Sequence, residues 1–164
     1  MKMLEAKIEG LALDMTTNSP VVILAPTGLN KVLPIWIGHA EAWGIAMELS
    51  GVKAKRPLTY DLLKEVIGTL EAEVDHVEIT ELKEQTFYAR IHLTADGKKY
   101  EIDARPSDSI ALALKVKARI LVNEELFNIS EEESSQPNAM PTDPESLRER
   151  LRKINPEDFG KYSL

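Results

Sequence analysis

The chain contains no cysteine. That absence excludes disulfides, thiolate-held metal and a cysteine nucleophile, and it agrees with a reducing compartment. No apolar run approaches the roughly 18 residues that a membrane-spanning helix needs. Met1 to Lys7 alternates polar and apolar residues instead of forming the apolar stretch of a signal peptide. The chain therefore reads as a soluble, cytoplasmic protein with no membrane partner. A basic excess is missing too, since the net charge is −7. Residues 1–122 hold 15 Lys/Arg against 17 Asp/Glu, and residues 123–164 hold 5 against 10. The acid is concentrated at the end, and composition alone gives no basic face for a duplex. Gly-rich phosphate loops, zinc-ligand spacings and Gly-x-Ser-x-Gly elbows are absent as well.

What is present is a single-domain length of 164 residues with ordinary apolar (43%) and charged (29%) shares. Alternation predicts strands over Met3–Leu13, Val21–Leu24 and Lys31–Ile37, and a helix over His39–Leu49 stopped by Gly51. Thr59 reads as the N-cap of a second helix, whose Leu62, Leu63, Val66, Ile67 and Leu70 form an apolar stripe. Strands follow at Ala72–Leu82, Thr86–Thr94 and Lys98–Ala104, with Ala95-Asp96-Gly97 as a hairpin signal. A helix opens at Arg105-Pro106-Ser107-Asp108 and is apolar nearly all round at Ile110–Leu114, so it is expected to be buried. Arg119–Asn123 closes the series as a short strand.

Three strands and a helix thus occur twice, and the strand-to-helix junctions align at an offset of 65 residues. The expected fold is α+β: two βββα-like units forming one compact domain, with mainly antiparallel sheets and packed helices. The domain is expected over residues 1–129. A flexible acidic linker is expected over 130–144, and a C-terminal helix and tail over 145–164, the helix running from Pro144 to Ile154.

Candidate chemistry gathers at element boundaries. His39 stands at a strand-to-helix junction beside Glu41, while His76 and His92 fall on strands, where exposed, non-catalytic side chains are the common reading. Arg56, Thr59 and Asp61 form one polar cluster, and Asp103, Arg105, Ser107 and Asp108 another. Asp103 at a strand end and Asp108 just inside the next helix are placed to face one helix N-terminus. Two neighbouring carboxylates suit a hard cation such as Mg²⁺ or Mn²⁺, which activates water in phosphodiester hydrolysis. Ser107 and Asp108 are equally ordinary capping residues, and Arg105 pairing with Asp103 is the plain structural alternative.

The segments PVVIL, KVLPIWIGHAEA, RPLTYDLL and IDARPSDSIALAL, in this order, resemble the hallmark blocks of the bifunctional nuclease domain family over about residues 3–127. The resemblance implies a compact α+β domain, assembly as a homo-oligomer, and a nuclease acting on both RNA and DNA. It places Glu41 after the LPIWIG block, Arg56, Thr59 and Asp61 in the RPLTYDLL block, and Asp103, Arg105, Ser107 and Asp108 in the DARPSD block. Where the family's form of the RPLTYDLL block carries histidine, this chain has Tyr60.

Two functions follow as expectations. One is a metal-dependent nuclease of low sequence specificity. Asp103 and Asp108 would hold the cation, with Asp61 and Glu41 as further catalytic carboxylates, and Arg105, Arg56, Ser107 and Thr59 would bind substrate. The other is a non-catalytic binding or regulatory module in a homo-oligomer, which suits the 5% aromatic content. A dimer interface is expected near Trp36, Trp43 and Met47.

Overall fold

The computed structural model describes residues 1–128, 144–145 and 151–153. Alternation carries β1 from Met3 to Asp14, and the turn at Asn18 returns the chain as β2 (Ser19–Pro26), followed by β3 (Leu33–Trp36). Helix α1 (His39–Ser50) ends at Gly51, whose φ of 72° is the left-handed C-cap conformation that glycine adopts without steric cost. Helix α2 (Thr59–Thr69) leads to β4 (Ala72–Lys83), β5 (Thr86–Ala95) and β6 (Lys98–Ala104). The β5–β6 hairpin turns on Asp96 (φ 50°) and Gly97 (φ 73°), the pair of positive φ values that the Asp-Gly signal requires. Helix α3 (Pro106–Val116) and β7 (Arg119–Asn123) complete the domain, and β8 (Leu151–Lys153) joins it from the tail.

One sheet results, in the order β3-β2-β1-β7-β4-β5-β6, with β8 also paired to β1. Each βββ unit fans outward from the centre, and β7 lies between β1 and β4. Every pairing is antiparallel except β4 with β7. The fold is α+β, as the strand-rich, hairpin-linked sequence implies.

Helix α3 crosses one face of the sheet and fills the core. Ile110 and Leu112 are fully buried beside Val77 and Ile79 of β4 and Ala89 of β5. Burying each such side chain contributes roughly 1.5–3 kcal/mol, which explains why α3 is apolar on nearly every side. Helix α1 covers the first unit through Ala42 and Ile45. Helix α2 lies outermost, and here expectation and structure part. None of its residues is buried; Leu62 and Leu70 are 56% and 72% exposed, and only Tyr60 and Ile67 pack on the core. Its N-cap is Leu58 rather than Thr59. The Asp61 carboxylate reaches back to accept the Leu58 N–H at 2.9 Å, so an acid at the third helical position replaces a capping hydroxyl.

The tail also differs. The helix expected over Pro144–Ile154 is replaced at residues 151–153 by β8, which pairs with Ala12–Asp14 along the edge of β1 that β7 leaves open. An open strand edge presents unpaired backbone groups, and pairing with them prevails over weak helical spacing. Pro144 and Glu145 are helical, and the rest of the linker and tail lies outside the described residues.

Candidate functional site

Three helices and one loop enclose a cleft of about 940 Å³. Glu41 and Glu48 come from α1, Tyr60 and Asp61 from the first turn of α2, and Arg105, Asp108 and Lys115 from the start and end of α3. The loop between α1 and α2 adds Lys53, Lys55 and Arg56. Two spacings of seven, Glu41 to Glu48 and Asp108 to Lys115, set the charges two helical turns apart on facing helices.

Each layer is a closed ion cluster. In the first, the Arg105 guanidinium donates from Nε to Asp108 Oδ2 at 2.8 Å and from Nη2 to Asp108 Oδ1 at 3.1 Å, and its Nη1 lies 3.0 Å from Glu41 Oε1. The Tyr60 hydroxyl donates to Asp108 Oδ1 at 3.0 Å. In the second, Lys115 Nζ lies 2.6 Å from both Glu48 Oε2 and Asp61 Oδ1, tying α3 to α1 and α2 at once.

These contacts set the proton affinities. Burial, the hydrogen bond to Asp108 and the nearby negative charge raise the Tyr60 phenol, so Tyr60 stays protonated and serves as a donor rather than a base. The hydrogen bond from Lys115 holds Asp61 below the ordinary carboxylate range. Burial works against the charged form of Lys115, but the hydrogen bonds to Asp61 and Glu48 outweigh it and raise its pKa. Hydrogen bonding to Asp108 likewise raises Arg105.

Small residues make room for this arrangement. A Cβ at Gly44 would stand 2.7 Å from Tyr60 Cε2, so the bare backbone of α1 is what lets the Tyr60 ring come this close. A Cβ at Gly38 would collide with the Glu41 carboxylate, which folds back over the N-terminus of α1.

Of the residues singled out from sequence, Glu41, Arg56, Thr59, Asp61, Arg105 and Asp108 line the cleft together. Asp103 and Ser107 do not. Ser107 is buried in the first turn of α3. Asp103 is exposed on β6, in register with Arg90. The paired Asp103–Asp108 cation site therefore does not form in the cleft. Strand alternation is the reason: Asp103 stands two residues from Glu101 and shares its face, where Glu101 meets Arg90. The remaining cleft carboxylates are ion-paired: Arg105 meets both Glu41 and Asp108, and Lys115 meets Asp61.

Sequence reading missed the balance of charge. Six cationic side chains, Lys53, Lys55, Arg56, Lys64, Arg105 and Lys115, line the cleft against four carboxylates, Glu41, Glu48, Asp61 and Asp108. A chain of net charge −7 thus carries a locally electropositive hollow. Among the described residues, Lys53, Lys55 and Arg56 enter no salt bridge, while Lys64 lies close enough to Asp61 to lower its pKa. The run Lys53-Ala54-Lys55-Arg56 was the available signal.

A family model described as the bifunctional nuclease domain matches residues 21–135, which include every cleft residue named above. The chain belongs to the bifunctional nuclease domain family. It is 35% identical over 162 residues to an uncharacterized protein of Mycobacterium tuberculosis, covering 94% of this chain and 97% of that one. It is 28% identical over 113 residues to Bifunctional nuclease 1 of Oryza sativa subsp. japonica and over 116 residues to Bifunctional nuclease 1 of Arabidopsis thaliana. Those matches cover 67% and 69% of this chain but only 34% and 36% of the plant proteins, so the chain spans about a third of the length of these plant members of the bifunctional nuclease domain family. Among the described residues, no helix is long and apolar enough to cross a membrane.

Proposed function

We propose that this chain is a nuclease that binds the phosphodiester backbone of RNA or DNA in the cleft between α1, α2 and α3. The observation that supports it most is the surplus of cations lining that cleft in an otherwise acidic chain. Backbone charge is common to all sequences, so low sequence specificity follows from this mode of binding. Family membership supports the reaction class.

Arg105 is the centre of the reading. A guanidinium holds phosphate as well as carboxylate with the same fork of donors. A phosphodiester entering the cleft competes for Arg105 with Glu41 and Asp108, while Arg56 and the loop lysines hold the adjoining phosphates. A carboxylate released from Arg105 becomes a proton acceptor next to the bound phosphorus, and the Tyr60 hydroxyl, held neutral, is a hydrogen-bond donor beside it. Mg²⁺ or Mn²⁺ was the cation expected on Asp103 with Asp108; Asp103 lies on β6 and is not among the cleft residues, so the reading rests on the cationic side chains.

The test is cleavage of a labelled single-stranded oligonucleotide by rigorously purified protein, with Asp103→Asn as the contrast. The cleft reading expects activity that Asp103→Asn leaves intact. Loss of activity in Asp103→Asn would move the chemistry to β6, and no activity in any protein preparation would favour a non-catalytic binding module.

A homo-oligomer belongs to the same proposal. The uncovered apolar side of α2 supports an interface there. The corner expected from sequence supports it less: Met47 is buried, Trp43 is half-buried, and the Trp36 indole N–H donates to the buried Asp14. Light scattering showing about twice the 18.3 kDa chain mass would agree, and a monomer would refute it.

A further inference from the structure

The face of the sheet opposite α3 carries a second cluster, unrelated to the cleft. Val77 and Ile79 point into the core, so His76 and Glu78, which alternate with them along β4, point the other way. His92 of β5 stands directly opposite His76 in the antiparallel register. Three potential ligands thus meet on two hydrogen-bonded strands. Their donor atoms all lie within 4.8 Å of one another.

We propose that His76, Glu78 and His92 form a binding site for a borderline transition-metal dication, with Zn²⁺ as its best-matched member. The spacing suits it. Glu78 Oε1 lies 3.3 Å from His76 Nε2, and Glu78 Oε2 lies 2.9 Å from His92 Nε2. Ligands about 2.0–2.1 Å from a tetrahedral Zn²⁺ stand roughly 3.3–3.4 Å apart, so small side-chain rotations bring these three donors round one ion. The chemistry suits it as well. Two imidazoles and one carboxylate select Zn²⁺ and its neighbours over Mg²⁺ or Ca²⁺, which take oxygen donors.

A second observation points to the ligand. His92 Nε2 is buried and makes no hydrogen bond, although Glu78 Oε2 lies 2.9 Å away. A buried polar atom without a hydrogen bond is destabilising, and a metal ion bound there would take up the nitrogen lone pair. The two imidazole rings stack with centroids 4.3 Å apart and planes 13° off parallel, which presents both Nε2 atoms to the same carboxylate. Glu101 Oε1 lies 4.0 Å from His92 Nδ1, outside hydrogen-bond reach but near enough to add negative charge beside the cluster. Three protein donors leave one tetrahedral position for water or an incoming ligand.

The experiment uses the full chain, freed of metal with a chelator and titrated calorimetrically with Zn²⁺ and separately with Mg²⁺. The expected result is one Zn²⁺ bound per chain, a raised melting temperature, and no response to Mg²⁺. His92→Ala and His76→Gln are each expected to weaken Zn²⁺ binding by roughly 100-fold or more, the upper end of what losing even an outer-shell partner does. Arg105→Ala is expected to leave it unchanged. Should His92→Ala not fold, His76→Gln decides. Absence of Zn²⁺ binding overturns the proposal, and so does affinity that neither histidine variant alters; the latter would leave Glu78 as a plain counter-ion to the histidines.

Discussion

The two faces of the sheet hold clusters of opposite deficit. Against the helices, six cations meet four carboxylates, and what is left over is positive. On the open face, two histidines share one carboxylate, and what is left over is a nitrogen lone pair. The first arrangement invites an anion and the second a cation, although both are built from basic and acidic residues at short range. Placement differs as well. The cleft groups ride on three helices and a loop that the ion pairs themselves tie together, whereas the histidines are fixed by strand register. The lesson is that the unmatched partner, rather than the number of charges, indicates what a site accepts.

The comparison breaks most severely at Arg105. Arg105→Ala removes the shared counter-charge of Glu41 and Asp108 and is expected to lower kcat/KM for oligonucleotide cleavage about 100-fold or more, as loss of a preorganised charge at a reacting group does. Arg105→Lys restores the charge without the fork and should recover only part of it. Unaltered kcat/KM in Arg105→Ala would remove the cleft from the reaction.

Gly44→Ala is the next largest effect. Its methyl would overlap the Tyr60 ring, so an overpacking cost of about 1–3 kcal/mol is expected in chemical denaturation. The hydrogen bond from Tyr60 to Asp108 should shift with it, lowering activity while leaving the open face untouched. Wild-type stability in Gly44→Ala would show that Tyr60 does not need its place against α1.

The smallest effect sharpens the second ion layer. Lys115 depresses the Asp61 pKa in the folded state, so its contribution to stability is present above the unfolded carboxylate value of about 3.9 and is lost as pH falls through the lower folded value. Asp61→Asn is therefore expected to destabilise the chain by about 1 kcal/mol at neutral pH, in line with partly exposed pairs. The gap between variant and wild type should close below about pH 4. Equal stability at pH 7 would show that Lys115 gains nothing from Asp61.

Much of this fold was legible because local signals agreed. Asp96-Gly97 marked its hairpin, Gly51 its helix end, and the all-round apolar Ile110–Leu114 its burial. The cleft was partly legible: boundary residues such as Glu41, Arg56, Asp61, Arg105 and Asp108 were singled out, but their meeting depends on how α1, α2 and α3 pack, which periodicity does not encode. Asp103 was misplaced because its position at a strand end was weighed, and its parity with Glu101 was not. The histidine cluster was hidden by a bulge. Near the turn Lys83 pairs with Thr86 and Glu81 with Tyr88, a register that would set His76 against Leu93. An irregularity between Ile79 and Glu81 shifts the register by one residue and brings His76 opposite His92. A one-residue slip moves a side chain to the other face of a sheet, and nothing in the linear pattern announces it.

The claim that the cleft takes a phosphate backbone is tested most directly by the salt dependence of oligonucleotide binding, measured by fluorescence anisotropy for wild type and Arg56→Ala. The expected result is wild-type affinity that falls steeply with salt, and a variant whose log–log slope is shallower by about one phosphate contact, roughly 0.7 for a single strand. Identical slopes and affinities in the two proteins would contradict the account.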